Sequence, residues 1–92
     1  MSVQSTIENK LNEALKPAFL EVVNESHQHA GHAHGSTDSH FKAVIVSSAF
    51  DGVGMVARHQ HVYKILAEMM NNPIHALVLK TYTAEEWQKQ QG

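Results

Sequence analysis

Histidines are the residues of this chain that are best suited to chemistry. The chain has eight histidines and no cysteine. Imidazole is a common ligand for borderline metals, and it is the only side chain whose unperturbed pKa lies near neutrality. Without a thiolate the chain cannot build a cysteine zinc site or hold an iron–sulfur cluster alone. Any sulfur ligand must therefore come from a partner.

One polar segment, at about 25–39, is rich in Gly and Ser, and this composition predicts a loop. Half of the histidines lie in it: His27, His29, His32 and His34. They form two His-x-His pairs, and four imidazoles on an extended loop could make a tetrahedral metal site. The segment has two interpretations. Either the loop binds metal, and this activity alone would make the chain a metal buffer, or it is a hydrophilic loop whose histidines are solvated.

The other four histidines are placed by the predicted elements around them: they are His40, His59, His61 and His75. His59 falls on the apolar stripe of a helix, which favours a hydrogen-bonded packing residue over a ligand. His61 is expected to be partly exposed. His75 follows Pro73 at the start of a strand, on the face of Leu77 and Leu79. It is either a ligand held on a rigid element or a satisfied structural residue.

Hydrophobic periodicity and capping patterns predict the first and second helices. Ile7, Leu11 and Leu15 recur at four-residue spacing and give the first helix one apolar stripe. Ser5 and Glu8 match a helix capping box, and Pro17 disfavours helical geometry at the residue before it. The period returns to helical at about 55–70, with one stripe that contains His59, Val62, Leu66 and Met69.

Three strands and a third helix complete the predicted architecture. Residues 18–24 and 41–46 are predicted to pair as antiparallel strands, and residues 74–82 form the third strand. Thr83 and Glu86 form a capping box that opens a C-terminal helix. The order α-β-β-α-β-α predicts one α+β domain over residues 1–92, in which helices cover a three-stranded sheet.

Composition excludes several classes of function. The formal net charge is −2 and Arg58 is the only arginine, so strong binding to a phosphate backbone is not expected. No nucleophile elbow and no phosphate-binding glycine loop is present, which argues against an enzyme. The apolar runs are too short to span a membrane. The first residues lack signal-peptide character and cysteine is absent, so we expect a cytoplasmic protein.

Residues at the second predicted helix are the candidates for nucleic-acid contact. They are Arg58, His59 and Lys64. Arg58 lies near the helix start beside the turn at residues 51–54, where it could hold an anion or a loop carbonyl. A purely structural role is the favoured interpretation of Arg58.

Three ordered blocks of sequence stand out together: FLEVVNES (19–26) followed by SHFK (39–42), VSSAFDG (46–52) followed by RHQHVY (58–63), and HALVLKTYT (75–83) followed by EW (86–87). They resemble the BolA family, and the resemblance covers nearly the whole chain. It implies a class II KH-like αββααβ fold with a three-stranded mixed sheet, in which a short extra turn of helix precedes the third strand.

The resemblance also implies a function. BolA proteins act without catalysis, as partners of monothiol glutaredoxins with a CGFS active site, and the two share a 2Fe-2S cluster. The glutaredoxin cysteine and glutathione supply sulfur, and the BolA protein supplies histidine. The C-terminal ligand falls on His75 and the loop ligand on His29, with His27, His32 and His34 as alternatives. The isolated chain, a monomer or weak homodimer, is expected to hold no cofactor.

The sequence departs from the family pattern at two places. Gln60 stands where the signature more often has Arg, which removes a positive charge. The loop is slightly longer than usual and carries His32 and His34 in addition, so the loop ligand stays open. The second function that the resemblance implies is a DNA-binding transcriptional regulator of stress and morphology genes, which the net charge disfavours.

Overall fold

A computed structural model describes residues 3–25, 40–70 and 74–91. The elements within these ranges are α1 (Val3–Leu15), β1 (Phe19–Asn24), β2 (His40–Val46), a short 3₁₀ helix (Ser48–Phe50), α2 (Met55–Ile65), β3 (Ala76–Tyr82) and α3 (Ala84–Gln91). The predicted order of helices and strands and the α+β class are confirmed. The predicted histidine-rich loop lies outside the described residues, except for Glu25 at its start.

The three strands form one mixed sheet in the order β1-β2-β3. β1 runs antiparallel to β2, with Phe19 opposite Val46, and β2 runs parallel to β3, with His40 opposite Ala76. Because β2 is central, the end of β1 and the starts of β2 and β3 meet at one end of the sheet.

One face of the sheet carries the hydrophobic core, which α1 and α2 cover. The predicted stripe of α1 is buried at Ile7, Leu11 and Leu15. The core residues from the other elements include Val22, Phe41, Ala43, Ile45, Val62, Leu66, Leu77 and Leu79. Burial of this apolar face, more than helix propensity, holds such short helices in place.

Within the described residues, the opposite face of the sheet is covered only at one end. There Trp87 of α3 stacks on Phe19, with 5.1 Å between ring centroids, and contacts Tyr82 at 5.2 Å. Farther along the same face Val78 is 48% exposed. The prediction that helices cover the sheet therefore holds fully for one face and only at one end for the other.

Two features of α1 test the predictions made from local sequence. The predicted N-cap at Ser5 is wrong, because α1 already includes Val3 and Ser5 lies inside the helix. The predicted stop before Pro17 is confirmed. The helix ends at Leu15, and Lys16 adopts the left-handed region with φ 44°.

The connection between α2 and β3 differs in detail from the prediction. α2 ends at Ile65 instead of about residue 70, and residues 66–69 form turns. The N–H of Met70 donates to the carbonyl of Leu66 at 3.2 Å. Among the described residues before β3, the extra turn of helix implied by the resemblance is thus a hydrogen-bonded turn at residues 66–70 and not a separate helix. No helix in the described ranges is long and apolar enough to cross a membrane.

Candidate functional site

His75 lies immediately before β3, where a buried residue precedes it. Ile74 is fully buried and pairs with Met70 in an isolated bridge. His75 itself is exposed, although strand alternation would have put it on the face of Leu77 and Leu79. The strand begins one residue later, so the side chain escapes burial. His75 is thus an accessible imidazole attached to a fixed backbone, which suits a metal ligand.

The two residues that flank segment 26–39, Glu25 and His40, lie at the end of the sheet that is nearest to His75. The N–H of Glu25 donates to the carbonyl of His40 at 2.7 Å. His40 is in turn the register partner of Ala76, the residue after His75. The candidate loop ligands His27, His29, His32 and His34 lie outside the described residues, and the strand ends that flank their segment belong to β1 and β2.

The donor chemistry at this end of the sheet fits a metal group whose other ligands come from elsewhere. Within residues 3–25, 40–70 and 74–91, no group of three or more His, Cys, Asp or Glu side chains could hold a metal ion. The described part of the chain therefore offers His75 as a nitrogen donor, not a complete site. A complete site needs further ligands from segment 26–39, from a partner, or from both.

Arg58 occupies a second cluster, at the start of α2, and it is only 6% exposed. Its Nε donates to the carbonyl of Val53 at 2.7 Å, and its Nη1 donates to the carbonyl of Thr81 at 3.3 Å. The two Nη atoms donate to the carboxylate of Glu86 at 2.7 and 3.1 Å. The loop carbonyl that the sequence suggested as a partner of Arg58 is thus Val53.

The carboxylate of Glu86 balances the positive charge of Arg58, which is the only arginine of the chain. The hydrogen bonds from Arg58 lower the pKa of Glu86 to about 2, and a backbone hydrogen bond from Thr83 contributes further. The hydrogen bond to Glu86 raises the pKa of Arg58 above its usual value, against an opposing effect of burial. The guanidinium also lies 5.7 Å from the ring centroid of Phe50. Arg58 is therefore an internal connection between α2, β3 and α3.

The other two candidates for nucleic-acid contact differ in their exposure. His59 is half-buried on the inner stripe of α2, and its buried Nε2 has no hydrogen-bond partner within the described ranges. The hydrogen bond expected for His59 is thus not found there. Lys64 is exposed, as is His61, and both line a shallow depression on α2 with Ala57 and Gln60. Of Arg58, His59 and Lys64, only Lys64 presents a charge to the solvent.

Sequence reasoning missed how α2 contacts the free edge of β3. The hydroxyl of Tyr63 donates to the carbonyl of Leu77 at 3.2 Å, and Arg58 bonds the carbonyl of Thr81. Glu86 as the partner of Arg58 was also missed. The one feature of the sequence that singled out Glu86 was its position in a capping box with Thr83, and the structure confirms this capping box. The Glu86 carboxylate accepts from the N–H of Thr83 at 2.9 Å, and the Thr83 hydroxyl accepts from the N–H of Glu86 at 3.1 Å.

The fold and the site define a small α+β protein with a mixed three-stranded sheet and an accessible histidine at the start of its last strand. The model of the family described as BolA-like protein matches residues 11–86. The chain therefore belongs to the BolA family, and its resemblance to that family is confirmed.

Relatives and solved structures agree with this membership. The chain is 47% identical to the DNA-binding transcriptional regulator BolA of Haemophilus influenzae, over 98% of this chain and 85% of that protein. It is 39% identical to human BolA-like protein 1, over 95% of this chain and 62% of that protein. BolA1 from Arabidopsis thaliana superimposes with a TM-score of 0.84 at 39% identity, covering 94% and 96% of the two chains. The BolA domain of SufE1 from the same plant gives 0.83 at 36% identity, with the same coverage.

Proposed function

We propose that this chain is a non-enzymatic adaptor that binds a monothiol CGFS glutaredoxin and supplies histidine to a 2Fe-2S cluster shared by the two proteins. The observation that carries the proposal is the position of His75. It is exposed before β3, at the end of the sheet where Glu25 and His40 flank the part of the sequence that carries four histidines.

The division of ligands between the two proteins follows from composition. The chain has no cysteine, so it can contribute no thiolate ligand, whereas the glutaredoxin and glutathione supply thiolates. When bound, the cluster supplies iron with coordination positions that a neutral imidazole can fill. The role of this chain is to present the His75 imidazole on a fixed backbone. The loop histidine, with His29 as the first candidate and His27, His32 and His34 as alternatives, completes its contribution.

Co-expression with a CGFS glutaredoxin tests the proposal. The purified wild-type complex is expected to show the visible absorption and visible circular dichroism of a 2Fe-2S cluster. His75→Ala is expected to weaken or abolish these signals while the apo-protein keeps its stability, because substitutions of exposed residues usually change stability by less than about 0.5 kcal/mol. His61→Ala is the matched control, since His61 is equally a surface histidine but lies on α2.

The outcomes of this experiment are distinct. A wild-type complex without a cluster spectrum would contradict the proposal as a whole. A cluster spectrum that His75→Ala leaves unchanged would remove His75 from the ligands but keep the partnership. Loss of the signal in both variants would indicate that the substitutions disturb the complex and not a ligand.

The second candidate function is DNA-binding regulation of transcription, which the printed names of relatives favour: the proteins of H. influenzae and Escherichia coli at 47% and 44% identity are called DNA-binding transcriptional regulators. The charges of α2 give it little support. Arg58 is buried and paired with Glu86, which leaves Lys64 as the charged residue available from the predicted nucleic-acid set. The family's regulator function would then have to use other surfaces.

A further inference from the structure

The two outer strands of the sheet, β1 and β3, each present an edge with which no strand of the described residues pairs. A free edge carries backbone N–H and C=O groups that can pair with a strand of another molecule, which makes it a site of self-association or aggregation unless it is protected. In this chain, side chains of the two helices that cover the core face reach both edges.

Side chains of α2 bind carbonyls on the free edge of β3. The backbone groups of alternate residues point to opposite edges of a strand, so the carbonyls of Leu77 and Thr81, four residues apart, point to the same edge. The hydroxyl of Tyr63 donates to the carbonyl of Leu77 at 3.2 Å, and Nη1 of Arg58 donates to that of Thr81 at 3.3 Å. Because both donors belong to α2 and not to β2, this is the edge without a neighbouring strand. Two of the acceptors that an added strand would need are thus already used.

A side chain of α1 makes the corresponding contact at the free edge of β1. Nε2 of Gln4 donates to the carbonyl of Val22, in the middle of β1, at 2.9 Å. The same nitrogen lies 3.4 Å from a carboxylate oxygen of Glu8, one helical turn later on α1, which helps to orient the amide. Each edge of the sheet therefore receives a donor from one of the two covering helices.

Tyr63 also occupies space beside β3. A strand that joins a sheet lies about 4.8 Å from its neighbour and bonds to the carbonyls of the free edge. The hydroxyl of Tyr63 is 3.2 Å from the carbonyl oxygen of Leu77, so the end of its side chain lies in the space that an added strand would take. Tyr63 is 38% exposed and therefore lies at the surface, where another molecule would approach.

We infer that Tyr63 and Gln4 are edge-protecting residues, which prevent a second copy of this chain from extending the sheet. Arg58 adds to the protection of β3, although it also links three elements of the fold. Opening the edge of β3 would allow two copies to pair through their β3 strands in antiparallel orientation, as a symmetric dimer. The inference concerns the chain by itself and does not rest on its proposed function.

Substitutions that remove a donor test the inference on the isolated protein. Tyr63→Phe removes only the hydroxyl, Tyr63→Ala also removes the ring, and Gln4→Met keeps the length of the side chain without its donor. The matched controls are Tyr82→Phe and Gln60→Met. The hydroxyl of Tyr82 makes no hydrogen bond to the described residues, and Gln60 is exposed on α2.

Sedimentation velocity over a range of concentrations measures self-association, and hydrogen exchange measures the protection of backbone amides. We expect both Tyr63 variants to self-associate at least about tenfold more strongly than the wild type and the controls, because one acceptor is freed in each of two copies. The amides of Leu77 and Leu79 should then exchange more slowly in the dimer. Gln4→Met should strengthen self-association with slower exchange in β1 instead.

Several results would overturn the inference. Self-association of Tyr63→Phe or Gln4→Met that equals the wild-type value would show that its edge does not need the donor. Association that leaves exchange in β1 and β3 unchanged would show that another surface is used, and a wild type that already pairs through β3 would show that the edge is open. The urea midpoint reports whether each variant folds. If Tyr63→Ala is unfolded, Tyr63→Phe, which keeps the ring, decides the result at β3.

Discussion

Arg58 and Glu86 lie 28 residues apart in the chain and are joined by two hydrogen bonds, of 2.7 and 3.1 Å. Glu86 uses the same carboxylate to cap α3 through the N–H of Thr83. One carboxylate thus ties the start of α3 to the start of α2, and Arg58 extends the connection to the carbonyls of Val53 and Thr81. The guanidinium of Arg58 therefore links α2, β3 and α3 in the described conformation.

Replacing this guanidinium with an ammonium is expected to destabilise the fold. Arg58→Lys keeps the charge but cannot bond Glu86 through two nitrogens and also reach the carbonyls of Val53 and Thr81. We expect the free energy of unfolding to fall by about 1–3 kcal/mol, because a buried acceptor loses its donor. Urea denaturation of the apo-protein measures this change. The control Lys64→Ala, at an exposed lysine, should stay within about 0.5 kcal/mol of the wild type. Equal effects of the two substitutions would contradict the structural role of Arg58.

The lowered pKa of Glu86 makes the stability of the fold depend on pH in an acidic window. The pKa is about 2 in the folded protein, against an ordinary value of 4.5. The stabilisation by ionised Glu86 is therefore fully present above about pH 4.5, and it is lost as the pH falls toward 2.

Glu86→Gln tests this dependence, because glutamine cannot ionise. We expect the difference in unfolding free energy between wild type and Glu86→Gln to be largest above pH 5 and to shrink between about pH 4.5 and 2. Urea titrations at a series of pH values, followed by the fluorescence of Trp87, measure it. A difference that stays constant over this window would mean that Glu86 has an ordinary pKa.

The histidines of the loop are expected to contribute unequally to the shared cluster. We predict that His29→Ala weakens the visible circular dichroism of the complex most, and that substitution of His27, His32 or His34 is partly compensated by the neighbouring imidazoles. Four single variants, measured at equal protein and glutathione concentrations, decide the order. A larger effect of His32→Ala or His34→Ala would mean that the longer loop has moved the ligand.

DNA binding by this chain is expected to be weak and only shallowly dependent on salt. The net charge is −2, and Arg58 is already paired with Glu86. Each neutralised phosphate contributes about −0.9 to the slope of log affinity against log salt. We expect a slope of small magnitude that Lys64→Ala reduces by about one unit or less. A steep slope, in fluorescence anisotropy with duplex DNA, would favour the regulator function and a basic surface other than α2.

Local sequence patterns predicted the features that depend only on residues close together in the chain. The spacing of Ile7, Leu11 and Leu15 predicted the buried stripe of α1, and Pro17 predicted where that helix ends. The capping box of Thr83 and Glu86 was predicted from its spacing and is present. The same pattern at Ser5 failed, because a capping box needs a helix that begins there, and the apolar stripe of α1 let the helix extend to Val3.

Contacts between distant elements could not be predicted in this way. The pairing of Arg58 with Glu86 depends on how α2 lies across β3. The same packing leaves the buried Nε2 of His59 without a hydrogen-bond partner among residues 3–25, 40–70 and 74–91. The residue types Arg, Glu and His do not by themselves predict these contacts. Hydrogen bonds act over about 3 Å, so they depend on the final arrangement of the backbone.

The candidate site shows the same division between sequence and tertiary structure. Residue types alone determined that the chain offers imidazole nitrogen and no thiolate to a metal, because it has eight histidines and no cysteine. Only the tertiary structure decided that His75 is exposed and that Glu25 and His40, which flank the histidine-rich segment, lie at the same end of the sheet. Alternation would have put His75 with the buried Leu77, but β3 begins only at Ala76. Strand pairing, which joins residues far apart in sequence, therefore set the geometry of the site.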